Sequence, residues 1–239
     1  MKIVLLHGQN HKGSTYHIGR MLAEQLGTET EMTEFFLPRD MPHFCCGCTM
    51  CFNESEQKCP HVTAMQPITD AIDQADLLIL TSPVYVYHVT GSMKALLDHY
   101  GYRWMVHRPE ASMFRKQAVC ITTAAGAGMR SACKDMRHSF FFWGIGKCYS
   151  YGVAVAAVNW DGVKPKKKAA ITKHVQKLQQ NIQRHSGNVK PSLKTRLFFS
   201  VMRMAQQHGW NPVDVAYWNE QGWLGKKRPW KEGIGEQEI

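Results

Sequence analysis

Apolar positions in this chain fall in short unbroken runs, separated by stretches with helical spacing. Lys2 to His7 is the first run, rich in β-branched and large aliphatic residues, and it reads as a strand buried on both faces. It starts at the first residue, so no cleaved leader is expected ahead of it. Gly8 breaks the run, and Ser14 or Thr15 can cap a helix carrying Ile18, Met21, Leu22 and Leu26 on one side. Thr28 to Leu37 partly alternates and ends before Pro38, as a second strand near a sheet edge would. Asp40 to Pro60 has no periodicity and reads as a loop, long enough to suggest function. His61 to Ala75 is helical, with Met65, Ile68, Ile72 and Ala75 in register. Asp76 to Leu80 is a buried strand leading into Thr81–Tyr85, and Gly91 to Tyr100 restarts a helix with Met93, Ala95, Leu96 and Leu97. Gln117 to Thr123 is a fourth strand, Met129 to Trp143 a helix, and Ser150 to Val158 a fifth apolar strand.

Strand and helix therefore alternate, which predicts an α/β fold: a parallel sheet with helices on both faces. Ligands of such sheets sit outside the carboxyl ends of the strands. Three segments are due at that edge, Gly8–Thr15, Ser82–Tyr87 and Thr122–Gly128, all rich in Gly, Ser, Thr or Tyr.

Beyond this the pattern changes. Asn159 to Lys168 reads as a polar, basic connector, followed by an amphipathic helix over Ala170–Arg184. A helix is expected over Leu193–Gln207, with Leu197, Val201 and Met204 on one side and Phe198 and Met202 beside them. A short helix is expected over Pro212–Gln221, and the chain from Leu224 onward looks loose. The expected division is a domain over 1–160, with its cysteine loop at 43–60, and a basic helical extension over 161–239.

Charge sharpens that division. Residues 164 to 239 carry 15 Lys/Arg against 5 Asp/Glu, so the whole net charge of +10 lies there. Lys164–Lys168 and Lys226–Arg228 could attract nucleic acid or acidic lipid. No base-stacking module accompanies them, so nucleic-acid binding is not expected. The apolar residues of 193–207, with Trp210, Trp218, Trp223 and Trp230, read instead as an arm that packs on a second subunit. No apolar run reaches the roughly 18–20 residues of a membrane span.

The first glycine loop has a phosphate-binding form. Gly8 and Gly13 stand as far apart as the glycines of a nucleoside-triphosphatase loop, but Ser14 occupies the place of its lysine. Hydroxyl and backbone donors at a helix start remain, which suits a single terminal phosphate such as that of FMN. The alternative is an ordinary strand–helix turn without a ligand.

Eight cysteines without a secretory leader point to a reducing compartment, where clustered thiols bind metal or do redox chemistry. Cys45, Cys48, Cys51 and Cys59 follow C-x₂-C-x₂-C-x₇-C, and Pro60 follows the last. Closely spaced thiolates suit the corners of a [4Fe–4S] cluster, and the bacterial ferredoxin run shares the first two gaps and the closing Cys-Pro. Zinc is a rival, although structural zinc usually takes ligands from two separate knuckles. A free, redox-active thiol loop is another. Cys46, Cys120, Cys133 and Cys148 read as small buried apolar residues.

Taken together, these motifs resemble the flavodoxin-like NAD(P)H-dependent FMN reductases, in particular their iron–sulfur flavoprotein branch. The resemblance covers roughly residues 1 to 160 and rests on Gly8–Thr15, the four-cysteine loop, Ser82-Pro-Val-Tyr85 with Gly91–Asp98, and Thr122–Gly126. The family usually opens this loop Gly-Ser-Pro-Arg with one more residue, whereas Gln9 and Asn10 stand here in place of Ser-Pro. It implies a doubly wound five-stranded parallel sheet of order 2-1-3-4-5. It also implies that Gln9, Asn10, Gly13, Ser14 and Thr15 hold the FMN phosphate. Pro83, Val84 and Tyr85 would line the ring and ribityl chain, Tyr87 would lie near the ring, and Thr122, Thr123, Ala124 and Gly126 would close the other edge. His88 and Lys94 are either substrate contacts or solvated positions near a helix start.

A flavin carries its own chemistry, so the lack of a Ser-His-Asp set or paired carboxylates is no objection. The expected activity is a cytoplasmic oxidoreductase passing electrons from NAD(P)H through FMN to a small acceptor: a quinone, an azo or nitro compound, or free flavin. A homodimer or homotetramer is expected. The alternatives are an iron–sulfur electron carrier fed by a ferredoxin-like partner, and a redox- or metal-sensing thiol module.

Overall fold

The computed structural model describes residues 1–27 and 29–231. Five strands, β1 (Lys2–His7), β2 (Glu31–Phe36), β3 (Leu77–Pro83), β4 (Gln117–Ala124) and β5 (Lys147–Ala154), form one sheet. Every pairing is parallel and the order is β2-β1-β3-β4-β5, as expected.

Strand residues alternate between the two faces, and each face has its own helices. Ile3, Leu5, Leu77, Ile79, Val119 and Ile121 share a core with α1 (Ser14–Gln25) and α6 (Pro165–His185). Val4, Leu6, Leu78, Leu80, Ala118 and Cys120 point the other way, into α3 (Val62–Gln74), α4 (Gly91–His99) and α5 (Met129–Phe142). Central strands covered on both sides need unbroken apolar runs, which is why they were legible.

The edge strand β5 differs from its expected bounds. It spans Lys147–Ala154 rather than Ser150–Val158, because an edge strand alternates buried and open positions and takes in polar residues. The chain has left the sheet by Val158, which is fully exposed. Cys148 is exposed there and Cys46 is exposed in its loop, contrary to expectation, whereas Cys120 and Cys133 are buried. Likewise α6 starts at Pro165, within the expected connector: proline fits the first helical turn, and the lysines simply face solvent.

The 43–60 loop contains two short elements, α2 (Met50–Asn53) and a 3₁₀ turn at Glu56–Lys58. The C-terminal part adds α7 (Leu193–Gln207) and α8 (Pro212–Glu220). Phe199, Trp218 and Trp223 are buried there with Met105 and Phe114 of the sheet domain, so these tryptophans pack on their own chain. Trp230 joins them, 5.8 Å from Phe114 and 5.1 Å from Phe199, so the segment after Leu224 is packed as far as it is described. Residues 232–239 lie outside the described residues. No helix among the described residues is long and apolar enough to cross a membrane.

Candidate functional site

The three expected segments meet at the carboxyl edge of the sheet. β1 ends where the Gly8 N–H donates to the Thr81 carbonyl at 2.7 Å, and the chain then turns into α1. Gly13 is the N-cap of α1 and no side chain caps it, so the first amides keep their donors. Ser14 and Thr15 are buried in that first turn, Gly13 and Gln9 are half-buried, and Asn10 is exposed. Thr90 and Ser92 position the loop, which the sequence reading missed. Their hydroxyls donate to the Gly8 carbonyl at 2.7 and 2.9 Å. Thr90 also caps α4 by accepting from the Met93 N–H at 3.2 Å. A Cβ on residue 8 would sit 2.8 Å from the Thr90 hydroxyl, so glycine is required there.

Pro83, Val84, Tyr85 and Tyr87 continue from β3. Val84 N–H donates to the Thr123 carbonyl at 2.8 Å, which ties this segment to β4. Tyr85 and His88 then exchange two backbone hydrogen bonds across a tight turn in which Val86 and Tyr87 have φ of 47° and 68°. Left-handed backbone at a β-branched residue is strained and concentrates at functional sites. The turn is held from outside: Asp135 of α5 pairs with His88 at 3.0 Å and accepts from the Val89 N–H. Tyr85, Val86 and Tyr87 are exposed. His88 is thus engaged with α5, and Lys94 with Asp98 one helical turn on. On β4, Thr122 and Thr123 are buried, Ala124 is half-buried and Gly126 is exposed. A cavity of about 370 Å³ joins Gln9, Tyr85 and Ser92 to Pro38, Met41 and Phe44, at the start of the cysteine loop.

Cys45 and Cys48 are exposed, and Cys51 and Cys59 half-buried. Burial pushes the Cys51 thiol up to about 11, aided by the neighbouring charges of Cys59, Cys45 and Cys48. Two histidines missed by the sequence reading face the same loop. Atoms of Cys59, His61 and His99 that can bind metal lie within 4.8 Å of one another. His61 precedes α3 and His99 ends α4, so only the fold brings them together.

The C-terminal part reaches this loop. Arg108 donates to the Cys51 carbonyl and, at 2.6 Å, to Asp214 of α8. Asn211 donates to the Phe52 carbonyl at 3.1 Å.

The profile of the NADPH-dependent FMN reductase family matches residues 1–159. The chain belongs to that family. Among curated relatives, an iron-sulfur flavoprotein of Methanocaldococcus jannaschii is 33% identical over 148 residues, 59% of this chain and 72% of the relative. An iron-sulfur flavoprotein of Archaeoglobus fulgidus is 30% identical over 129 residues, 51% of this chain and 54% of the relative. A solved flavone reductase shares the fold at TM-score 0.57 and 12% identity, covering 80% of this chain and 66% of its own. An FMN-dependent NADH-azoreductase from Bacillus anthracis, solved with FMN, does so at TM-score 0.54 and 12% identity, covering 75% of this chain and all of its own.

As a member of the FMN reductase family, the chain carries groups that suit a cofactor's phosphate. An uncapped helix start with buried hydroxyls in its first turn offers free donors of the kind that hold an anion. Among the described residues, only Cys59 of the four loop cysteines has its sulfur grouped with other potential metal ligands within 4.8 Å, and its neighbours there are His61 and His99 rather than Cys45, Cys48 and Cys51.

Proposed function

We propose that this FMN reductase takes electrons from NAD(P)H and passes them to a small acceptor: a quinone, an azo or nitro compound, or free flavin. The convergence of the α1 cradle, the Pro83–Tyr87 turn and the Thr122–Gly126 segment at one sheet edge carries the reading. FMN, when bound, supplies hydride acceptance and electron release. The chain's part is to bind and orient it. The α1 amides with Ser14 and Thr15 hold the phosphate, and Gln9 and Asn10 border it. Pro83, Val84 and Tyr85 flank the ring, with Tyr87 at its exposed side. Thr122, Thr123, Ala124 and Gly126 bound the far edge. The open face beside Tyr85 and Tyr87 leaves room for a nicotinamide and then an acceptor in turn. Steady oxidation of NADH or NADPH by the FMN-loaded chain, tested against this acceptor panel, is the assay. No turnover with either nucleotide refutes the reading.

The cysteine spacing, and the names of the curated relatives, favour a second reading: an electron carrier with a [4Fe–4S] cluster on Cys45, Cys48, Cys51 and Cys59, fed by a ferredoxin-like partner. Iron and inorganic sulfide in equal amounts would support it.

Two further features belong to the proposal. All eight cysteines are unpaired, in keeping with a reducing cytoplasm. Leu193, Leu197, Val201 and Met204 form an exposed apolar stripe on the outer side of α7, and through it we place a homodimer or homotetramer contact.

A further inference from the structure

We propose that Cys59, His61 and His99 bind one divalent transition metal, zinc above all, as a mononuclear site at the junction of α3, α4 and the cysteine loop. It stands apart from the FMN reading, and it competes with the cluster because both need Cys59.

His99 anchors the site. Its ring is buried and its Nδ1 lies 2.7 Å from the Ala95 carbonyl. A carbonyl only accepts, so Nδ1 carries the proton and Nε2 presents a lone pair. A histidine whose second nitrogen donates to a backbone carbonyl is the usual preparation of a metal ligand. That Nε2 stands 2.9 Å from His61 Nδ1. Ligand atoms 2.0–2.3 Å from one tetrahedral zinc stand about 3.3–3.6 Å apart, so the two nitrogens need part by only a few tenths of an ångström. The Cys59 sulfur completes the trio within 4.8 Å.

The ligands are held as a site requires. Cys59 and His61 flank Pro60 at the start of α3, and His43 stacks on His61 at 4.5 Å with the planes 5° apart. A cavity of about 230 Å³ opens beside Cys59 and His99 and is lined also by Cys51. The Cys51 sulfur does not lie with the three grouped ligand atoms, so water takes the fourth corner. Thiolate and imidazole together select zinc over magnesium or calcium. A [4Fe–4S] cluster would take thiolates from Cys45 and Cys48 and leave the histidine pair without a role.

The test uses the full chain, purified without chelator, with metal and acid-labile sulfide measured on the same sample. Cobalt(II) is then titrated into chelator-stripped, reduced protein. The expected result is one zinc per chain and no sulfide. Cobalt should give the d–d bands of a tetrahedral ion and a thiolate charge-transfer band. Affinity should fall at least about 10-fold in Cys59→Ser and His61→Ala and stay unchanged in Cys46→Ser. His61 is only half-buried, so His61→Ala should keep the wild-type circular dichroism where the buried His99→Ala could unfold. Iron with equal sulfide, dependent on Cys48 and indifferent to His61→Ala, overturns the proposal. So does the absence of any stoichiometric metal. Flavin content and turnover are not the readout, so failure here leaves the FMN reading intact.

Discussion

Arg108 and Asp214 are 106 residues apart in the chain, both buried, and joined at 2.6 Å. Asp214 also pairs with His107 at 2.7 Å, and Arg108 reaches on to the Cys51 carbonyl and, at 3.6 Å, to Glu56. The C-terminal part thus braces the cysteine loop from behind. Removing one partner of a buried pair strands the other charge at about 3–5 kcal/mol. Asp214→Ala should lower stability by that amount in urea unfolding and speed alkylation of Cys51 in the folded protein. Removing the exposed Lys94–Asp98 pair should cost less than about 1 kcal/mol.

Gly8→Ala should weaken FMN binding at least about 10-fold, because the new methyl meets the Thr90 hydroxyl and forces the loop outward. Thr90→Val, which removes the α4 cap and one bond to Gly8, should cost about 1–2 kcal/mol of stability. Fluorescence titration with FMN and thermal melts separate the two effects.

His7 lies beneath this loop, hydrogen-bonded to Thr81 at 2.9 Å and to Glu34 at 3.0 Å. Burial holds its pKa below the ordinary 6.5, outweighing the Glu34 carboxylate. The unfolded chain therefore takes up the proton first as pH falls. Stability from this group is complete above about 6.5 and is lost as pH drops from there through the folded pKa. Melting temperature should decline with acid over that range, and less steeply in His7→Asn.

Leu197→Glu and Val201→Glu place charge on the exposed stripe of α7 without touching the buried Phe199 side. Sedimentation should show a homo-oligomer for the parent and a monomer of unchanged fold for the double variant. A parent that sediments as a monomer would remove the α7 contact from the account.

What the sequence revealed followed from burial. β1 and β4 were legible almost to the residue because unbroken apolar runs report coverage on both faces, whereas β3 runs on past the expected Leu80 to Pro83 through buried Thr81 and Ser82. α7 was legible from its helical spacing, although Leu197, Val201 and Met204 of that pattern are exposed. β5 was misplaced because an edge strand is half open, and α6 was started late because its first turn is all proline and lysine. Thr90-Gly-Ser92 ahead of an apolar run is a capping signature that could have been read, whereas its reach to Gly8 could not. His61, just before α3, and His99, at the end of α4, stand at no motif spacing, so no local signal joins them. The tryptophans marked a packing surface, but sequence could not say whose, and Trp218 and Trp223 bury against Phe199 of the same chain.

The most direct test of the FMN reductase account is the visible spectrum of the FMN-reconstituted chain, recorded anaerobically before and after NADPH or NADH. The account predicts stoichiometric bound flavin whose blue band bleaches with one of the two nucleotides. A chain that takes up no FMN, or holds FMN that neither nucleotide reduces, would contradict it.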